Sequence, residues 1–86
     1  MSIQWENDAQ DELFDWVATD RKTALKIKTL IHDIQRNGPA RGIGKPEPLR
    51  HKKGWSRRID EYNRLVYTQS KDGIIIIVSC KGHYED

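Results

Sequence analysis

The sequence predicts an α+β fold of order β-α-α-β-β-β, a two-helix hairpin packed on one face of a mostly antiparallel sheet. Three observations predict it. Apolar residues recur at helical spacing in two successive segments of the first half. Short alternating segments and one β-branched run fill the second half. Turn signals separate those segments, Asp72-Gly73 being the strongest.

Taken in order, residues 2–5 (SIQW) alternate polar and apolar and read as a first strand. Asn7 or Asp8 offers an N-cap to a helix whose apolar positions are Ala9, Leu13, Trp16 and Val17. The acids early in this segment suit a helix N-terminus. Asp20 offers a second cap, and Ala24, Ile27, Leu30, Ile31 and Ile34 form one stripe that Asn37-Gly38-Pro39 ends. So short a link between helices predicts an antiparallel hairpin. Residues 39–53 read as irregular, rich in Gly, Pro and basic side chains. Residues 55–59 and 64–69 read as strands around the turn DEYN, and residues 74–80 as the last strand. The unbroken apolar run of that strand predicts burial on both faces, and so a place away from the sheet edge.

Eighty-six residues make one domain, spanning 1–86, and with a third of them charged its core should be thin. The single cysteine, Cys80, excludes an internal disulfide and any cysteine-based metal site. No signal peptide is visible and no apolar run approaches membrane-spanning length, so a cytoplasmic protein with no membrane contact is expected. The net charge of +2 conceals an asymmetry: residues 1–20 hold six acids and no Lys or Arg, and the remainder carries all 15 basic residues against seven acids. A basic field of that density favours a polyanion, nucleic acid first among them. A solvated charged surface is the plain alternative.

Three groups of residues could carry chemistry. Glu47 lies between Pro46 and Pro48, which restrict the backbone on both sides and aim one carboxylate. It is the only acid between Asp33 and Asp60, with Lys45, Arg50 and Lys52 close by in sequence, and it could accept a proton. Arg57, Arg58 and Arg64 form the second group. Strand alternation sends Arg57 and Arg58 to opposite faces, so one of them at most shares a face with a given partner. An arginine on the open face could grip phosphate or stabilise a charged transition state. The third group is His83-Tyr84: an imidazole suited to proton transfer and a phenol that could stack on a base. His51, in the basic loop, could touch phosphate. No cluster has metal-ligand spacing and no Gly-rich phosphate loop occurs, so no cofactor is expected. A carboxylate, an arginine and an imidazole beside an RNA backbone suit in-line attack of a ribose 2′-OH on the adjacent phosphorus. DNA lacks that hydroxyl, so the route would be specific to RNA.

The blocks GKPEPLRH (44–51), WSRRI (55–59), RLVY (64–67) and HY (83–84), in this order and spacing, resemble the Txe/YoeB branch of the RelE/ParE toxin superfamily. The likeness extends over nearly the whole chain. It implies the toxin of a type II toxin–antitoxin pair, a metal-independent mRNA interferase that cuts mRNA in the ribosomal A site and stops translation. Carried over onto matching positions, it implies Glu47 as general base, His83 as general acid, Arg64 as the transition-state cation and Tyr84 as a substrate-orienting group. Arg50 and Arg58 would contact phosphate, and Lys45, His51 and Lys52 would add to the RNA-binding surface. The implied partners are a small antitoxin of YefM or Axe type, the ribosome with its mRNA, and a second copy of the toxin. The alternative on the same fold is a non-catalytic basic toxin of ParE type, which blocks gyrase without cleavage. The sequence departs from the family pattern in carrying Glu85 and Asp86 after the His-Tyr pair. These carboxylates would repel phosphate, so deleting both should leave ribosome-dependent cleavage intact or faster. Loss of cutting in the truncated protein, followed by primer extension, would refute that reading of the tail.

Overall fold

The computed structural model describes residues 1–83. Its elements are β1 (Ile3–Trp5), α1 (Asn7–Thr19), α2 (Arg21–Asn37), β2 (Glu47–Pro48), β3 (Trp55–Arg58), β4 (Arg64–Gln69) and β5 (Ile75–Ser79). They form one five-stranded sheet of order β1-β5-β4-β3-β2, in which β1 and β5 run parallel and the other pairs antiparallel. The predicted order therefore stands with one addition. A two-residue strand, β2, lies within the loop that reads as irregular.

The first helix starts differently from expectation. Glu6, not Asn7 or Asp8, occupies its N-cap position, and no side chain caps it. Strand pairing decides this: the Glu6 amide donates to the Ile77 carbonyl at 3.0 Å, extending the β1–β5 ladder until the chain turns into the helix. Asp20 caps the second helix as predicted, accepting from the Thr23 amide at 3.2 Å and the Thr23 hydroxyl at 2.8 Å. Gly38 ends that helix, its amide donating to the Ile34 carbonyl. Both helices pack on one side of the sheet. Ile27, Leu30 and Ile34 from α2 and Ala9 from α1 meet Leu65, Tyr67, Ile75 and Ile77, all fully buried. The last strand is flanked on both sides, as expected, but it is not buried on both faces. Ile75 and Ile77 face the core, whereas Ile76 and Val78 are half-buried on the side the helices leave open.

Arg57 is the largest fully buried side chain. It lies on the helix side of β3 and carries five N–H donors, each of which is used. Nε donates to the Tyr67 hydroxyl, Nη1 to Asp33 and the Ile43 carbonyl, and Nη2 to the carbonyls of Gly38 and Arg41. The Tyr67 hydroxyl donates onward to the Pro39 carbonyl at 2.6 Å. The loop after α2 is thus wrapped around one cation. Gly42 is required there: its φ is +121°, and a Cβ would lie 1.8 Å from the Asp33 carboxylate. No helix among the described residues is long and apolar enough to cross a membrane.

Burial alone would lift the Asp33 carboxyl. Hydrogen bonds from Arg57, the Ile43 amide and Asn37, together with the Arg57 charge, outweigh it and hold the group below the ordinary carboxylate range. A depressed folded-state value means that this stabilisation is present above the unfolded value and is lost as pH falls through the folded one. Removing the carboxylate leaves a buried cation uncompensated, so Asp33→Ala should cost about 3–5 kcal/mol near neutral pH. In urea melts, the deficit relative to wild type should shrink below about pH 4.

Candidate active site

The site grows from the sheet register. β2 pairs with β3 so that Glu47 lies opposite Ser56, and Pro48 opposite Trp55. β2 is an edge strand, where prolines without an amide donor are tolerated. In the next ladder Ser56 faces Val66 and Arg58 faces Arg64. Alternation then divides the arginines. Arg57 turns into the core, and Arg58 and Arg64 share the open face with Ser56 and Glu47.

Arg64 is held from one side. Its Nε donates to the Ser56 hydroxyl at 3.0 Å, and its Nη2 stands 3.8 Å from Glu47 Oε2. That separation is an ion pair without a hydrogen bond. The Arg64 side chain is 16% exposed and that of Glu47 66%, so the pair adds little to stability. Among the described residues, Arg64 Nη2 is buried and has no hydrogen-bond partner. Neither N–H of that nitrogen meets an acceptor among the described residues.

His83 completes the arrangement. It lines a cleft of about 180 Å³ together with Glu47, Arg50, Ser56 and Arg64. A carboxylate from β2, a guanidinium from β4 and an imidazole from beyond β5 therefore border one small volume. Roomier clefts lie elsewhere. An apolar groove of about 540 Å³ between the two helices and β1 shares no lining residue with this one. The polar cleft sets a carboxylate beside arginines and an imidazole; the apolar groove has Arg21, Lys28 and His32 on its wall but no carboxylate.

Of the residues expected at the site, Glu47, Arg50, Arg64 and His83 come together. Arg58 is exposed on the same face, across the ladder from Arg64. Lys45, His51 and Lys52 are exposed on the basic loop outside the cleft, and Lys52 borders a neighbouring one of about 340 Å³ that shares its Pro48 and Leu49 wall. Tyr84 lies outside the described residues, as do Glu85 and Asp86. Ser56 was not singled out by sequence. Its signal was its position next to Arg57 in a short strand, legible only once the register was known. Among the described residues no group of three or more His, Cys, Asp and Glu side chains could hold a metal ion.

The model of the family described as the YoeB-like toxin of bacterial type II toxin–antitoxin systems matches residues 5–84. The chain belongs to that family. Toxin YoeB of Escherichia coli K12 is 42% identical to it, over 98% of this chain and 100% of the relative. The structure of a YoeB dimer from Staphylococcus aureus superposes with a TM-score of 0.89 at 42% identity, covering 98% of both chains. A heterotetrameric YoeB–YefM toxin–antitoxin complex from the same organism gives 0.88 at 40% identity, again over 98% of both chains. The YoeB likeness therefore takes in all of the cleft residues, His83 included.

Proposed function

We propose that this chain is a ribosome-dependent endoribonuclease, the toxin of a type II toxin–antitoxin pair, which cuts mRNA in the ribosomal A site. The observation that carries this reading is the convergence of Glu47, Arg64 and His83 on one cleft at the open, basic side of the sheet. Family membership supports it.

The roles follow from the chemistry of each group. Glu47 takes the proton from a ribose 2′-OH, and the oxygen attacks the adjacent phosphorus in line. Negative charge develops on the non-bridging oxygens. Arg64, oriented by Ser56, hydrogen-bonds to them. The bond from phosphorus to the 5′ oxygen breaks, and His83 gives that oxygen its proton. The products are a 2′,3′-cyclic phosphate and a 5′-hydroxyl. Arg50 and Arg58 hold flanking phosphates, Lys45, His51 and Lys52 extend the basic track, and Tyr84 orients or stacks on the substrate. Base, cation and acid all come from the chain itself, so no step calls for a metal. Kinship with the Staphylococcus aureus YoeB dimer and YoeB–YefM complex supports a homodimer and a YefM-type antitoxin as partners. The site of action is the cytoplasm, where mRNA is translated.

Cell-free translation of a defined mRNA followed by primer extension tests the reading. Discrete cuts within codons, leaving 5′-hydroxyl ends, are expected. Inhibition with intact mRNA would instead favour a toxin that only binds. Glu47→Gln and His83→Ala should each keep ribosome binding while cleavage slows by about 10²–10⁴-fold, the usual worth of a positioned base or acid.

A further inference from the structure

Past Ser79 the chain has left the sheet, and a free end would fray there. It is instead held twice. At Cys80 the carbonyl accepts from Trp16 Nε1 at 2.8 Å and the amide donates to Glu12 Oε1 at 2.8 Å, both partners being on α1. At Gly82 the amide donates to Asn63 Oδ1 at 2.7 Å, and the carbonyl accepts from the Arg64 amide at 3.1 Å. Gly82 has a φ of +85°, a bend that glycine makes without strain. His83 is the next residue.

We propose that Asn63 is the positioning residue for His83: its side-chain amide clamps Gly82 and so sets where the imidazole enters the cleft. This rests on the reading that His83 protonates the departing 5′ oxygen. Asn63 suits the task because its amide fits only one way round. Its Nδ2 donates to both oxygens of Asp60, each at 3.0 Å, and a carboxylate can only accept. The Oδ1 must therefore face the Gly82 amide. Asp60 is fixed in turn, because its Oδ1 accepts from the amides of Tyr62 and Asn63 at 2.8 Å each. The turn between β3 and β4 is thus more than a connection. It relays the rigidity of the hairpin to the far end of the chain. Arg64, next to Asn63, grips the same glycine through its backbone, so the acid and the transition-state cation are referenced to one peptide. Asn63 itself does not line the cleft.

The test uses the full chain on programmed ribosomes, with mRNA whose scissile linkage carries either the natural 5′ oxygen or a 5′ sulfur. A thiolate leaves without being protonated, so the sulfur linkage needs no general acid. On the oxygen linkage Asn63→Ala should lower kcat by about 10–100-fold with KM unchanged, the scale of a small misplacement of a reacting group. On the sulfur linkage Asn63→Ala and His83→Ala should both cut at close to the wild-type rate. A general structural defect would slow both linkages alike. Combining Asp60→Asn with Asn63→Asp reverses donor and acceptor and should restore most of the rate that Asn63→Ala loses. Asn63→Asp alone, which sets two carboxylates against each other, should not. Undiminished cutting of the oxygen linkage by Asn63→Ala overturns the clamp. So does recovery of His83→Ala, but not Asn63→Ala, on sulfur, an outcome that leaves the acid role of His83 standing. Failure of His83→Ala to recover on sulfur removes the acid role itself, and the clamp with it.

Discussion

A single buried guanidinium organises the half of the molecule that carries the site. Arg57 has no access to solvent, and an unpaired cation there would cost more than a domain of this size can spare. The fold answers by bringing an acceptor to each of its five donors: one from α2, one from β4 and three backbone carbonyls from the loop after α2. That loop has little regular hydrogen bonding of its own. The carbonyls it would otherwise leave unmatched are those that Arg57 collects. The path of the loop from Gly38 to Gly44, where the Arg58 amide donates to the Gly44 carbonyl at 2.7 Å, then fixes where Glu47 joins the sheet.

Two arginines close together on the β3–β4 hairpin show how the pleat assigns work. Arg57 points toward the helices and spends every donor inside the protein. Arg64 points the other way and is held by Ser56, and its buried Nη2 has no partner among the described residues. The first arrangement stabilises the fold. In the second, the Glu47 carboxylate, at 3.8 Å, is too far away to hydrogen-bond to that nitrogen. In the proposed reaction, this second guanidinium is the one that meets the phosphate. The apolar groove between helices and sheet has the greater volume but no carboxylate on its wall.

Much of this architecture was legible in the residues. Helical periodicity, the Asp20 cap, the Gly38 stop and the Asp72-Gly73 turn are local signals, and each element they mark is present. Features that depend on a neighbour distant in sequence are not legible in this way. The start of α1 follows from an amide of Glu6 bonding to β5, more than seventy positions away, which no cap preference encodes. The strand at Glu47–Pro48 exists because β3 is there to pair with it. The apolar run of β5 suggested two buried faces, whereas the chain supplies helices for only one.

The same division holds for the site. By itself the sequence determined which chemical groups were available: a carboxylate stiffened by prolines, a concentration of arginines, an imidazole near the end of the chain, and an order of blocks shared with one toxin family. Residue type and spacing suffice for that, because proton affinity and charge belong to the side chain. Only the tertiary structure decided which of the three arginines serves the fold and which faces the cleft, that Ser56 and not another residue holds Arg64, and that a turn asparagine reaches the peptide before His83. Those outcomes depend on strand register and on contacts across the sheet, where a shift of one position sends every side chain to the opposite face.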